Sequence, residues 1–166
     1  MFSKLRMALV VLVVGVLSAC HSGAKLDQNA AGSQGNGVNP GDVATVNVDP
    51  LNDPNSPLAK RSIYFDFDSY AVKSDYQSLL SAHADYLKSH PQRHVLIQGN
   101  TDERGTTEYN LALGQKRAEA VRRALSLLGV PDSQMEAVSL GKEKPVATGH
   151  DEDSYAQNRR ADFVYQ

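Results

Sequence analysis

The chain has 166 residues, 41% hydrophobic and 22% charged, enough for one ordinary globular domain with a segment left over. A formal net charge of −2 gives no reason to expect nucleic acid or an anionic membrane surface as a partner. One Cys and no Trp exclude an internal disulfide framework and a thiolate metal cluster.

The single Cys has a position that explains it. Lys4 and Arg6 precede an apolar run of eleven residues, Met7 to Leu17, and Leu17-Ser18-Ala19-Cys20 closes it. A spanning helix needs roughly 20 apolar residues, so residues 1–19 read as a secretory leader. Leu-Ser-Ala-Cys resembles the bacterial lipobox, which implies cleavage before Cys20 and its acylation. By the same resemblance His21 in the next position favours the outer membrane. An ordinary leader followed by a stray Cys is the alternative. Two or more acyl chains hold firmly where one is marginal. Loss of Lys4 and Arg6 with the leader leaves 15 basic against 19 acidic residues, a formal charge of −4. The covalent lipid on Cys20 is the only attached group expected; no cofactor and no metal is foreseen.

Residues 20–61 are rich in Gly, Asn, Ser, Asp and Pro, as in Gly32-Ser33-Gln34-Gly35-Asn36-Gly37 and Asp53-Pro54-Asn55-Ser56-Pro57. Such a segment buries too little apolar surface to fold and reads as a flexible tether. Its length spans on the order of 35 Å relaxed and over ~100 Å taut. A domain on this tether reaches away from its anchor.

The folded part, residues 62–166, starts with an alternating aromatic strand, Ile63-Tyr64-Phe65-Asp66-Phe67. Ser74-Asp75-Tyr76-Gln77 matches a capping box, and Tyr76, Leu79, Leu80, His83 and Leu87 keep helical spacing until Pro91. Arg93 to Gln98 is the second strand. Thr106 or Thr107 caps a helix with Glu108 in its first turn, and Gly129 with Pro131 stops it. Met135 to Leu140 is a third strand, Asp151 to Asn158 suits a short helix, and Ala161 to Tyr165 is the last strand. The order β-α-β-α-β-(α)-β predicts helices packed on one sheet, with sites where strand ends meet helix starts.

One such junction holds the chemistry. The run Gly99 to Ala118, GNTDERGTTEYNLALGQKRA, carries a strand end through a polar turn into a helix N-terminus, where free N–H groups suit an anion. Val121, Leu125 and Leu128 form the apolar stripe of this helix, and followed backwards it turns into Arg117, Leu113 and Asn110. An Arg on the core stripe needs a carboxylate or a place at the rim. Asp102, one loop away, is the obvious neighbour. The pair suits a zwitterionic ligand, or reads equally as a structural salt bridge.

Other residues point less clearly. Asp66 and Asp68 share a strand face and can act as paired carboxylates or, in the case of Asp68, as the wall of a binding site. The five His lack metal spacing such as H-x-x-x-H, and no G-x-S-x-G or P-loop occurs, so no catalytic residue is assigned.

Asn100-Thr101-Asp102-Glu103-Arg104-Gly105, Glu108-Tyr109-Asn110, Leu113-Gly114 and Arg117-Ala118 resemble the T-D-x-x-G…N-x-x-L-S/G-x-x-R-A signature of OmpA-like peptidoglycan-binding domains. Gly141 to Pro145, Gly149 to Glu152 and Asn158-Arg159-Arg160 continue the match over roughly residues 62–166. The departures are Asn100 for a frequent His, Thr107 for Pro, Leu140 for an aromatic, and polar Asp162 in the last strand. The resemblance implies an α+β OmpA-like domain with helices on a mixed four-stranded sheet. It further implies a ligand, the meso-diaminopimelate residue of peptidoglycan, with Asp102 on its ammonium and Arg117 on its carboxylate. Asn110 and helix N–H groups would complete the carboxylate pocket, and Phe67, Asp68, Thr101, Arg104 and Leu113 would line it. A lipid-anchored domain facing the periplasm follows, with a TolB-like propeller protein of the Tol system as partner in envelope integrity and cell division. A peptidoglycan hydrolase and a protein-interaction adaptor are the competing classes; the first lacks a nucleophile or metal set, and the second is compatible with wall binding.

Overall fold

The computed structural model describes residues 49–166. The leader over residues 1–19, Cys20 and most of the tether lie outside the described residues. Four strands form one sheet in the order β1-β4-β2-β3: β1 (Ser62–Tyr64), β2 (Val95–Asn100), β3 (Met135–Gly141) and β4 (Arg160–Tyr165). β4 runs antiparallel to both β1 and β2, while β2 and β3 are parallel. The sheet is therefore mixed. Parallel neighbours need a crossover connection, and α2 (Thr107–Leu127) supplies it. The other helices are α1 (Gln77–Ser89) and α3 (Glu152–Asn158).

Alternation decides which face of the sheet is covered. Ile63 in β1, Val95 and Ile97 in β2, and Ala161 and Phe163 in β4 project to one side. Leu80, Ala84 and Leu87 of α1 and Ala118, Val121 and Leu125 of α2 meet them in a single core. The α+β order expected from the sequence is the observed one.

Where α2 crosses β2, two glycines set the spacing. A Cβ on Gly99 would lie 1.8 Å from the Gly114 carbonyl oxygen, and one on Gly114 would lie 2.8 Å from the Gly99 oxygen. Backbone therefore meets backbone. The contact seats the first turns of α2 over the C-terminal end of β2, which brings Arg117 to the end of that strand.

Three expectations are corrected. First, β1 stops at Tyr64 and does not reach Phe67. After Phe65 the chain turns, with Asp68 at φ 53, so Asp66 and Asp68 do not share a strand face. Second, Ser74 is not a helix cap: it begins a 3-10 turn, Ser74–Tyr76, that leads into α1. Third, the fold takes in residues 49–61, which the sequence assigns to the tether. Leu51 and Leu58 are buried against Tyr86, and the Arg61 Nη2 donates to the Leu51 carbonyl at 2.6 Å. Arg93 pairs with Asp49 at 2.8 Å. Isolated apolar residues in a Pro- and Asn-rich run give no periodicity, so their burial is invisible before the domain is folded.

Candidate functional site

β2 delivers Asn100, Thr101 and Asp102 to one end of the sheet. The Thr101 N–H donates to the Gly141 carbonyl at 2.9 Å, which extends the β2-β3 pairing past the last strand residue. Next comes the turn to α2. The Thr106 hydroxyl accepts from the Tyr109 N–H at 3.2 Å and caps the helix, which settles the choice between Thr106 and Thr107. Asn110, one turn in, donates its side-chain amide to the Arg104 carbonyl at 3.0 Å and so pins the turn to the helix.

A small cavity forms at this junction. Phe67, Asp68, Thr101, Asp102, Arg104, Asn110, Leu113 and Arg117 all line it, together with Tyr109. All eight candidates from the sequence therefore converge on one place. The space within is about 10 Å³, close to the minimum that a single water needs. Two larger clefts, of about 540 and 490 Å³, lie elsewhere, lined by residues such as Tyr64 and Leu79 or Val72 and Leu127. Neither touches the signature run from Asn100 to Ala118, so size alone does not find the site.

Among the described residues Arg117 is the largest fully buried side chain. Its Nε donates to the Ser69 carbonyl at 2.8 Å, Nη1 to the Asn100 carbonyl at 2.8 Å and Nη2 to the Asp66 carbonyl at 3.1 Å. It thus ties the turn after β1 to the end of β2. A guanidinium has five N–H donors, so two remain for another acceptor. Burial pulls its pKa down to about 10, against the field of Asp102, so it stays cationic at neutral pH.

Asp102 has other partners. Its Oδ1 accepts from the Arg104 N–H at 3.1 Å and Nε at 3.3 Å; its Oδ2 accepts from Arg104 Nη2 at 2.7 Å and Arg159 Nη1 at 3.4 Å. Burial alone would raise the Asp102 carboxyl, but the Arg104 hydrogen bonds outweigh it and hold the group below the ordinary carboxylate range. Among the described residues no carboxylate lies within ion-pair distance of Arg117. The structural Asp102–Arg117 salt bridge, one of the two readings the sequence left open, is not made. Two opposite charges stand on one wall with separate supports.

Around them is a shell that the sequence does not assign. Arg159 donates from Nε to the Phe65 carbonyl at 3.1 Å and meets Glu152 at 2.7 Å. The Tyr109 hydroxyl donates to Asp68. Glu103, pulled down by hydrogen bonds from His150 and Tyr155, faces the outer side of the turn. Arg159 lies within the matched signature, and that was its only signal. Two departures from the signature meet each other: Asn100 donates its amide to Asp162 at 3.3 Å, and Asp162 also takes Ser62 Oγ at 2.6 Å. The buried Asn100 Oδ1 has no partner among the described residues.

A strand-loop-helix junction with an acid and a base on one wall, in a mixed sheet of this order, defines the class. The chain belongs to the OmpA family, whose profile matches residues 64–159. Within that class it is similar to proteins named peptidoglycan-associated lipoprotein. The one from Pasteurella multocida is 41% identical over 96% of this chain and 97% of its own length. That from Pseudomonas aeruginosa is 45% identical over 95% of each. A crystal structure of the peptidoglycan-associated lipoprotein from Burkholderia pseudomallei is 86% identical, with a TM-score of 0.70 over 71% of this chain and all of that one. The C-terminal domain of Helicobacter pylori MotB, 22% identical with a TM-score of 0.60 over 64% of this chain and 84% of that one, shares the fold.

Proposed function

We propose that this chain is an outer-membrane lipoprotein whose folded domain holds the meso-diaminopimelate residue of a peptidoglycan stem peptide and so ties the membrane to the wall. The supporting observation is the shared wall of Asp102 and Arg117, where an acid and a base stand close without neutralising each other. The diaminopimelate side chain ends in an ammonium and a carboxylate. Asp102 takes the ammonium, and the two uncommitted N–H donors of Arg117 take the carboxylate. Asn110 acts on the turn through its bond to Arg104, which makes it a positioning residue. The role in this reading is binding, by complementary charge at the two ends of the ligand.

The relatives' name supports the wall as ligand and a lipid as anchor; Cys20 is the residue that carries the lipid. A TolB-like propeller of the Tol system is the protein partner in this reading, and envelope integrity at division is the setting. Co-sedimentation with purified sacculi is the test. The protein pellets with the sacculi, free stem tripeptide ending in meso-diaminopimelate releases it, and Asp102→Asn stays in the supernatant. Equal pelleting of both proteins would refute the assignment.

A further inference from the structure

The cavity is too small for the ligand assigned to it. At about 10 Å³ it has room for one water at most, while a side chain carrying both an ammonium and a carboxylate is many times larger. Something must move, and the packing singles out one group. The Arg104 guanidinium lies on Asp102 with Nη2 at 2.7 Å and Nε at 3.3 Å. It is stacked between two rings, 4.1 Å from the centre of Phe67 and 4.4 Å from that of Tyr155. It therefore holds the position that an incoming ammonium would take.

We propose that Arg104 is a latch: its guanidinium occupies Asp102 in the free protein, and a ligand binds by exchanging its own ammonium for it. This inference rests on the assignment of an ammonium to Asp102. The outer leaf can move without disturbing the core, because Phe67 is 60% exposed and the Arg104 side chain 35%. Arg117 and Asp102 beneath it are buried. A landing place exists too. Glu152 Oε2 is already 3.5 Å from Arg104 Nη1, and its side chain is 63% exposed. Arg159 and the Arg104 backbone N–H stay on Asp102 and keep the carboxylate aimed while the guanidinium swings out.

The latch gives the site a selectivity. A cation on a buried carboxylate is replaced only by another cation, because a neutral group leaves Asp102 undercompensated. Stem peptides with a free ammonium open the site, and N-acylated ones do not. The latch also lowers apparent affinity by the fraction of molecules that stand open.

Two measurements test this on the intact protein. Calorimetric titration with the stem tripeptide ending in meso-diaminopimelate compares wild type with Arg104→Gln. A site open in about one molecule in ten gains about tenfold in affinity when the latch is removed, so tighter binding by the folded variant is expected. Weaker binding would overturn the latch and make Arg104 a ligand contact. The second measurement is nuclear magnetic resonance of the Arg104 Nε–H in wild type. Without ligand it shows slow guanidinium rotation, and saturation with the tripeptide releases it. Free rotation before ligand is added, or a signal unmoved at saturation, would overturn the latch. A slowly rotating Arg104 in a folded protein that binds no tripeptide would sink the diaminopimelate assignment, whereas tripeptide binding that leaves Arg104 unmoved would sink the latch alone.

Discussion

Asp102 and Arg117 line the same cavity yet never pair: Asp102 takes its hydrogen bonds from Arg104 and Arg159, and Arg117 gives its own to the carbonyls of Asp66, Ser69 and Asn100. The two residues therefore fail differently when removed. Asp102→Asn keeps the shape and loses the charge. A charge-assisted hydrogen bond contributes about 1.5 to 3 kcal/mol, so stem-peptide binding falls at least about tenfold while the fold survives. Arg117→Ala strands three carbonyls, the buried one of Asn100 and the part-buried ones of Ser69 and Asp66, and empties the space of a fully buried side chain, at about 1 kcal/mol or more for each of these losses. Urea unfolding should show a loss of about 3 kcal/mol or more together with the loss of binding.

Gly99→Ala tests the seat of α2 on β2. The new methyl would meet the Gly114 carbonyl at 1.8 Å, and backbone cannot step aside as a side chain can. Overpacking costs about 1 to 3 kcal/mol when side chains yield, so a larger loss in urea unfolding is expected. Because the same contact delivers Arg117 to the cavity, wall binding should fall in step with stability. A stable Gly99→Ala protein would contradict the close approach.

His83 makes stability depend on pH. It is fully buried, stacked on Phe163 at 4.2 Å, with Nδ1 2.6 Å from the Tyr165 hydroxyl and Nε2 2.9 Å from the Lys60 carbonyl. Burial pushes its pKa below the ordinary 6.5, against the pull of the Lys60 carbonyl. The unfolded chain then binds more protons than the folded one below that pH. Stability is full above about pH 6.5 and declines as the pH falls through the folded-state value. His150, raised by exposed Glu103, acts in the opposite sense and weakly. Urea midpoints from pH 7.5 to 5 should fall in wild type and fall less in His83→Gln.

The end of the tether belongs to the domain. A chain cut to begin at residue 62 loses Leu51 and Leu58 and uncovers Tyr86. Full burial of a Leu contributes about 1.5 to 3 kcal/mol, so a chain beginning at residue 49 should be more stable by about 3 kcal/mol in urea. Equal stability would mean that the segment lies on the surface without holding it.

What could be read in the sequence follows from periodicity. The stripe of Val121 and Leu125 and its interruption at Arg117 pointed to α2 and to the candidate site, because a helix repeats its faces every turn; Leu128, read as the next residue of the stripe, is instead exposed just past the helix end. Contacts between elements have no period. Arg104, two residues from Asp102, reads as one lining residue among several until its place against the rings of Phe67 and Tyr155 shows that it covers Asp102. The alternation through Phe67 hid the early end of β1, since the carbonyls that draw the chain aside are claimed by an Arg 48 and 51 positions away. Asn100 and Asp162 read as two separate departures from the signature, and as partners only once β2 lies beside β4.

Calorimetric titration of residues 49–166 with two stem tripeptides tests the central claim most directly: one ends in meso-diaminopimelate, the other carries the same residue with its side-chain carboxylate amidated. The crystallised relative, matched over its whole length by 71% of this chain, supports a domain of this size folding alone. Saturable binding of the acid form, weakened at least about tenfold by amidation, is the result expected if Arg117 receives a carboxylate and Asp102 an ammonium. Equal binding of both peptides, or none by a folded domain, would contradict a zwitterion site at this junction.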